Sequence, residues 1–396
     1  MSLKNKYDVI VVGAGPGGSM TAKTAAEKGL NVLLIEKRQE IGSPIRCAEG
    51  VGKKSFKKFF PVIKDEWIST KMVGVRIYSP DGTLVEMSDN RAVGYILERK
   101  IFDRDLACMA ADAGADVFTK TRATDLIIKD NFVKGVEGIR LGESFKVEAD
   151  IVVGADGVES KVGRWAGINT TLKPKDIESG AEYLISGIPV EDLCEIYLGN
   201  DIAPAGYVWA FPKGKNRANV GIGILGSKIG GKIPFDYLNE FVKKKYKNGK
   251  IIEVIYGGIP VSRPAKTFGN GIMLVGDAAR FTDPITGGGI TNAIESGIYA
   301  GEVAAECIKE EDTSEEGLKK YEKRWRSTIG EENDRSYLLK EFFINLPDGG
   351  LNALAHSINK IKITELSVKG LMRELIDKNP WIPAKLAKLF KKKIEK

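Results

Sequence analysis

The chain has 396 residues, 43 % apolar and 29 % charged, enough for a large core and two or three domains, which excludes a disordered or fibrous protein. Its 60 basic and 53 acidic residues leave a net charge of +7 spread along the sequence, a balance that does not indicate nucleic acid but permits contact with an anionic surface. Cys47, Cys108, Cys194 and Cys307 never fall in a C-x-x-C spacing, so neither a zinc site nor a disulfide scaffold is expected, and His356 alone limits histidine triads, metal sites and proton relays to one candidate residue.

Residues 7–12 (YDVIVV) are a β-branched apolar run of the kind a buried parallel strand shows. Gly13-Ala14-Gly15-Pro16-Gly17-Gly18 then opens an alanine-rich helical segment, 19–28, which stops at Gly29; residues 31–35 form the next strand, with Glu36 at its end. Residues 42–80 give mixed helical and loop signals, and a hairpin over 73–79 and 83–87 reads as an inserted piece. A helix over 99–113, strands near 116–118 and 123–128, and a buried strand at 150–153 running into Gly154-Ala155-Asp156-Gly157 follow. From about 177 to 264 the pattern turns to alternation, with antiparallel strands at 183–188, 195–198, 206–211 and 218–225. Residues 272–275 return to the buried-strand type, followed by Gly276-Asp277, the cluster Gly287-Gly288-Gly289 and a helix over about 291–308; from Ser314 the chain reads as helical, with breaks at 347–350 and 380–383.

A glycine-rich turn between strand and helix is a phosphate site. Gly13 permits the turn, Gly15 lets a pyrophosphate approach the backbone beside Pro16, and Gly18 lets the helix pack close to the strand. Glu36 can accept two ribose hydroxyls and would repel a 2′-phosphate, which favours FAD or NAD over NADP. The distant cluster separates these two. Asp277, at the carboxyl end of a strand, can hold ribityl hydroxyls, and Gly287–Gly289 place backbone N–H groups at a helix N-terminus, suited to the negative charge that develops on a reduced flavin. Nicotinamide has no such need.

Together, G-A-G-P-G-G, Gly154-Ala155-Asp156-Gly157 with Ser160, and Gly276-Asp277-Ala278-Ala279 with Pro284 and Gly287–Gly289 resemble the para-hydroxybenzoate hydroxylase type of FAD protein. Within that group, Arg46-Cys47-Ala48-Glu49-Gly50 and Tyr207-Val208-Trp209-Ala210-Phe211-Pro212 resemble the geranylgeranyl reductase family, especially its archaeal ether-lipid branch. The resemblance implies an α/β fold with a Rossmann-like FAD-binding domain (1–175 with 265–310), an antiparallel-sheet substrate domain (176–264) and a helical C-terminal region (311–396). It implies FAD contacts at Gly15, Glu36, Cys47, Ala48, Gly50, Arg99, Ala123, Asp277, Gly289 and Ile290, to which the glycine reading adds Gly13, Pro16, Gly18 and Gly288.

The implied activity is hydrogenation of geranylgeranyl double bonds in archaeal-type ether-lipid precursors such as digeranylgeranylglycerophospholipid. An isolated alkene cannot stabilise added hydride, so an acid must supply a proton. Cys47, a tyrosine such as Tyr207, or water are the candidates, with Cys47 preferred as the catalytic residue. Tyr207, Trp209 and Phe211 alternate along a strand and so share one face, an aromatic wall suited to an isoprenoid. Residues 385–394 place Leu386, Leu389, Phe390 and Ile394 on one helical face among lysines, near Trp381, a pattern equally suited to an anionic membrane face or to a solvated helix. No apolar run approaches the roughly 20 residues that cross a bilayer, so a cytoplasmic protein, free or peripheral on the membrane, is expected. The electron donor stays open among ferredoxin, a deazaflavin and NAD(P)H. An aromatic-ring monooxygenase on the same fold is the alternative enzyme, and a flavin-free NAD- or lipid-binding protein the alternative class.

Overall fold

The structure, a computed structural model, describes residues 3–264 and 266–359; the basic segment 385–394 and Trp381 lie outside the described residues. Strand Lys6–Val12 takes the centre of the first sheet, parallel to Val32–Ile35 on one side and to the end of Glu143–Gly154 on the other. Ile272–Leu274 and Asp116–Phe118 extend the parallel array outward. Val9, Ile10, Val11, Leu33, Leu34 and Val152 are wholly buried, as their unbroken apolar runs require. The turns at Gly13, Glu36, Ala155 and Gly276 therefore all fall at the carboxyl ends of parallel strands, where open α/β sheets bind ligands. Ser160 Oγ donates to the Ala278 carbonyl at 3.1 Å and ties two of these turns together.

Sequence-distant parts of the site meet because helix Ile290–Lys309 packs against helix Pro16–Glu27. The approach is close: a Cβ on Gly297 would lie 2.3 Å from the Gly17 carbonyl oxygen, and one on Gly301 would lie 2.7 Å from Thr24 Cβ. Small residues on this helix thus bring the Gly287–Gly289 corner to the Gly15 turn.

The second sheet has seven strands. Its antiparallel part, Lys250–Pro260, Ile177–Ser186, Arg217–Leu225, Tyr207–Pro212 and Leu193–Tyr197, matches the alternation in the sequence. Helix Pro234–Lys245, which the alternation reading passed over, covers one face with Leu238 and Val242 against Ala181, Tyr183, Val208, Val220 and Ile222. The hairpin Gly74–Tyr78 and Leu84–Ser88 forms as expected, but it is not a separate insertion. Gly74–Tyr78 pairs in parallel with Leu193–Tyr197 and completes this sheet. Helices from Glu315 to Ile358 close the far side, with Trp325 buried on Phe281 and its Nε1 donating to Thr267 Oγ1 at 3.0 Å.

A third, three-stranded sheet of Gly50–Gly52, Gly94–Leu97 and Ile68–Met72 lies beside the second, and a buried polar cluster joins the two. Glu49, at φ 71°, forms an ion pair with Lys213 at 2.6 Å, the side chains being 3 % and 9 % exposed. Glu49 Oε2 also accepts from Asn219 Nδ2 at 2.8 Å, and Oε1 from the Arg99 N–H at 3.1 Å; Lys213 donates in addition to the Leu97 carbonyl at 2.7 Å. Removing one partner of such a pair leaves the other charge without compensation in the interior. Glu49→Ala and Lys213→Ala should each lower unfolding free energy by roughly 3–5 kcal/mol, measured by chemical denaturation. Gly297→Ala should cost about 1–3 kcal/mol by overpacking, read as a lower melting temperature, because backbone atoms rather than a flexible side chain stand in the way.

Candidate active site

Two cavities meet along the carboxyl ends of the parallel strands. The larger, of about 290 Å³, lies between the Gly15–Gly18 turn, segment 46–50, the 287–290 corner and the helix-free face of the second sheet. The smaller, of about 170 Å³, runs from Gly15 to Glu36 and Arg38. Gly15, Arg46 and Arg99 line both, so the two form one elongated trough.

At the Glu36 end, the carboxylate that follows strand Val32–Ile35 accepts from the Ala14 N–H at 3.1 Å and the Arg38 N–H at 2.9 Å, one bond per oxygen, which fixes it with lone pairs to spare. Gly13 sits beneath the turn at φ 108°, and a Cβ there would fall 2.4 Å from the Ala155 carbonyl oxygen, so only glycine closes it. Arg99 opens helix Arg99–Asp112, and Nε and Nη2 each reach an Asp103 carboxylate oxygen at 2.7 Å, a bidentate pair that holds the guanidinium between the two cavities.

In the larger cavity, Pro16 and Gly18 from the first helix face Gly288, Gly289 and Ile290 at the start of helix Ile290–Lys309. The corner is pinned by Asp283, which accepts from the Ile285 and Thr286 N–H groups at 3.0 and 2.9 Å and from Ser336 Oγ at 2.6 Å. Asp277 accepts from Thr282 Oγ1 at 2.8 Å; burial pushes its carboxyl up, opposed by that hydrogen bond and by the Arg99 charge. Cys47, Ala48 and Gly50 form the opposite lip. Cys47 Sγ accepts from the Glu49 N–H at 3.2 Å, and burial pushes the thiol up, so it holds its proton at neutral pH.

Tyr207, Trp209 and Phe211 share the helix-free face of the second sheet and all line the larger cavity. Tyr207 donates to the Thr286 carbonyl at 2.6 Å and so ties the wall to the corner. Ile255, Glu182, Gly221 and Trp209 stand in register across four strands. A Cβ on Gly221 would lie 2.3 Å from Trp209 Cζ2, so the indole lies across a bare position and donates Nε1–H to Glu182 Oε2 at 2.7 Å. One row along, Gly180 pairs with Gly257, and both line the cavity without side chains.

Ala123 lines neither cavity; it sits in strand Thr121–Lys129 opposite Gly138. His356 is also remote, with Nε2 at 3.0 Å from Asp81 Oδ2. Among the described residues no His, Cys, Asp and Glu cluster could hold a metal, and no helix is long and apolar enough to cross a membrane. Sequence reasoning gave no role to Glu49, Glu182, Lys213 or Asp283. Only Asp283 carried a local signal, the turn-forming Asp283-Pro284 pair ahead of the glycines.

A sequence profile for FAD dependent oxidoreductases matches residues 8–189, and one for the geranylgeranyl reductase catalytic domain matches residues 176–259. A digeranylgeranylglycerophospholipid reductase of Methanosarcina mazei is 56 % identical, covering 98 % of this chain and 97 % of that protein. Among solved structures, a geranylgeranyl bacteriochlorophyll reductase-like protein from Thermoplasma acidophilum superposes with a TM-score of 0.93 at 40 % identity, covering 97 % of this chain and 99 % of that one. A flavin-dependent brominase, at 20 % identity and a TM-score of 0.72 over 90 % of this chain and 91 % of that one, shares the fold. The trough, the two profiles and the near full-length match agree: the chain belongs to the digeranylgeranylglycerophospholipid reductases of the geranylgeranyl reductase family.

Proposed function

We propose that FAD lies extended in the trough and that the chain uses it to saturate the geranylgeranyl double bonds of digeranylgeranylglycerophospholipid. The observation that carries this reading is the continuity of the trough from Glu36, past a nucleotide-type turn, to the Tyr207–Trp209–Phe211 wall. The residues suit the cofactor. The position of a Gly15 Cβ meets no atom within 4 Å, leaving a cradle for a pyrophosphate at the N-terminus of helix Pro16–Glu27. Glu36 retains acceptor capacity for a ribose, Asp277 and Arg99 flank the middle, and Cys47, Ala48, Gly50, Gly288, Gly289 and Ile290 border the space for the ring. Gly13 lines neither cavity and serves the cofactor by closing the turn beneath Gly15. In this reading the cofactor unit is 1–175 with 265–310, apart from the 74–88 hairpin, which joins the substrate unit 176–264; the helical region follows from 311.

When bound and reduced, FAD supplies hydride to one carbon of the double bond. The chain's residues bury and orient the alkene and keep water out. Apolar surface laid on the aromatic wall gains about 25 cal/mol per Å². The second carbon needs a proton, and Cys47 Sγ, at the lip of the ring space, is one wall atom that keeps a proton at neutral pH. Electrons enter from outside the chain, and ferredoxin, a deazaflavin and NAD(P)H are the donors to assay in turn.

The purified protein should be yellow and release FAD on denaturation. Under anaerobic reduction it should add hydrogen in two-hydrogen mass steps to digeranylgeranylglycerophospholipid; stoichiometric oxygen uptake with a hydroxylated product would instead establish the monooxygenase. Gly15→Ala should cost the FAD-free protein no more than about 1 kcal/mol of stability, the penalty of a poorer helix N-cap since its Cβ enters open space, yet weaken FAD binding at least about tenfold by isothermal titration.

A further inference from the structure

Strand Ile177–Ser186 turns Tyr183 and Ile185 toward the helix-covered core and turns Gly180 and Glu182 toward the trough. A carboxyl group on that face is chemically conspicuous. Glu182 is 3 % exposed, and among the described residues the indole of Trp209 is its one hydrogen-bonding neighbour: Nε1–H donates to Oε2 at 2.7 Å, while the buried Oε1 has no partner among them. An ionised carboxylate left with one oxygen unsolvated is costly, whereas a neutral carboxyl can place its hydroxyl at Oε1 and keep Oε2 as the acceptor. The wall is also built around this contact, because Gly221 leaves out the side chain that would block the indole from reaching it.

We infer that Glu182, on the trough wall beside Trp209, is the proton donor of the reduction, its proton held at the enclosed and unpartnered Oε1. This rests on the reductase reading above and names the acid which that reaction requires. For each double bond, the C=C π bond breaks and two C–H bonds form. The hydride and its electron pair come from reduced FAD, which is thereby oxidised, and the proton leaves Glu182 Oε1. The resulting carboxylate recovers a proton from water before the next cycle.

Electrostatics favour the same assignment. Burial, the largest influence, pushes the Glu182 carboxyl up to about 8; the Trp209 hydrogen bond and Lys213 oppose this, while Glu49 and Glu253 add to it. Cys47 also faces Glu182, and Arg46, Arg99 and Asp277 line the same cavity. A group with this value is mainly protonated at neutral pH yet is a stronger acid than the Cys47 thiol, which burial raises from an already higher starting point. Activity carried by the acid form falls as pH rises through about 8.

The test uses full-length, FAD-loaded protein and, separately, the FAD-free protein. In the FAD-free protein an infrared carboxylic C=O band should titrate away near pH 8 and be absent from Glu182→Gln, an isosteric change that preserves an acceptor for Trp209. In single-turnover reduction of digeranylgeranylglycerophospholipid, Glu182→Gln should lose roughly 100-fold or more in rate and lose the alkaline limb of the pH profile, while still binding FAD. Glu178, on the same strand, is a second buried carboxyl that burial pushes up to about 7, and Cys47→Ser and Glu178→Gln should each keep that limb, whatever their rate. A Glu182→Gln protein with the wild-type rate and limb, or a limb that disappears with Cys47→Ser, overturns the inference. Wild-type protein that saturates no alkene overturns the reductase reading itself, a separate result.

Discussion

Glu49 brings an acidic group into the interior and holds its backbone at φ 71°, two features that each cost free energy for a non-glycine residue. They are offset together only where Lys213, Asn219 and the Arg99 N–H converge. These partners belong to different parts of the fold: Lys213 and Asn219 lie on the substrate-side sheet, and Arg99 begins a helix of the cofactor side. One carboxylate thus sets the spacing of the trough and fixes the Cys47–Gly50 lip opposite the glycine corner. Phe211 packs into the same junction, within 3.0 Å of where a Gly50 Cβ would stand. The lip cannot move without exposing or stranding a charge.

The second sheet divides its work by face. Its covered face is ordinary core, with Val220, Ile222 and Ile224 alternating against helix Pro234–Lys245. The other face carries glycines, three aromatic side chains and Glu182, and gives up hydrophobic packing in order to bound a cavity. The first sheet makes a comparable division along its length: the last residues of its parallel strands, Val9–Val12, Val32–Ile35 and Ile151–Val153, are apolar and buried, and the polar residues Glu36, Asp156 and Asp277 follow where its strands end. Helix Ile290–Lys309 links the two arrangements, because its glycine-lined contact with the first helix places its N-terminus at the junction.

Much of this was legible in the sequence because the signals are local. A strand, a glycine turn and a helix within thirty residues specify their own geometry, and the period-two spacing of Tyr207, Trp209 and Phe211 fixes a common face without knowledge of partners. The unread parts depend on pairing between distant segments. Nothing in residues 74–78 announces a parallel partner at 193–197. Glu182, alternating with Tyr183, looks like the solvated side of a half-buried strand until Trp209 is laid over Gly221 beside it. Lys213 follows a proline and precedes a glycine, the surroundings of an exposed loop cation, and only the fold brings it to Glu49. Ala123 lies two residues beyond Thr121, whose N–H donates to the Glu36 carbonyl, and lines neither cavity.

Gly180 and Gly257 stand side by side on the trough floor and offer a ligand only peptide planes. Bulk at this point of the wall therefore comes only from neighbours, Ile259 beside Gly180 and Arg46 above Gly257, each within 3.7 Å of where the missing Cβ would stand, so the width of the trough there is set by side chains that can change rotamer while the backbone beneath them stays fixed.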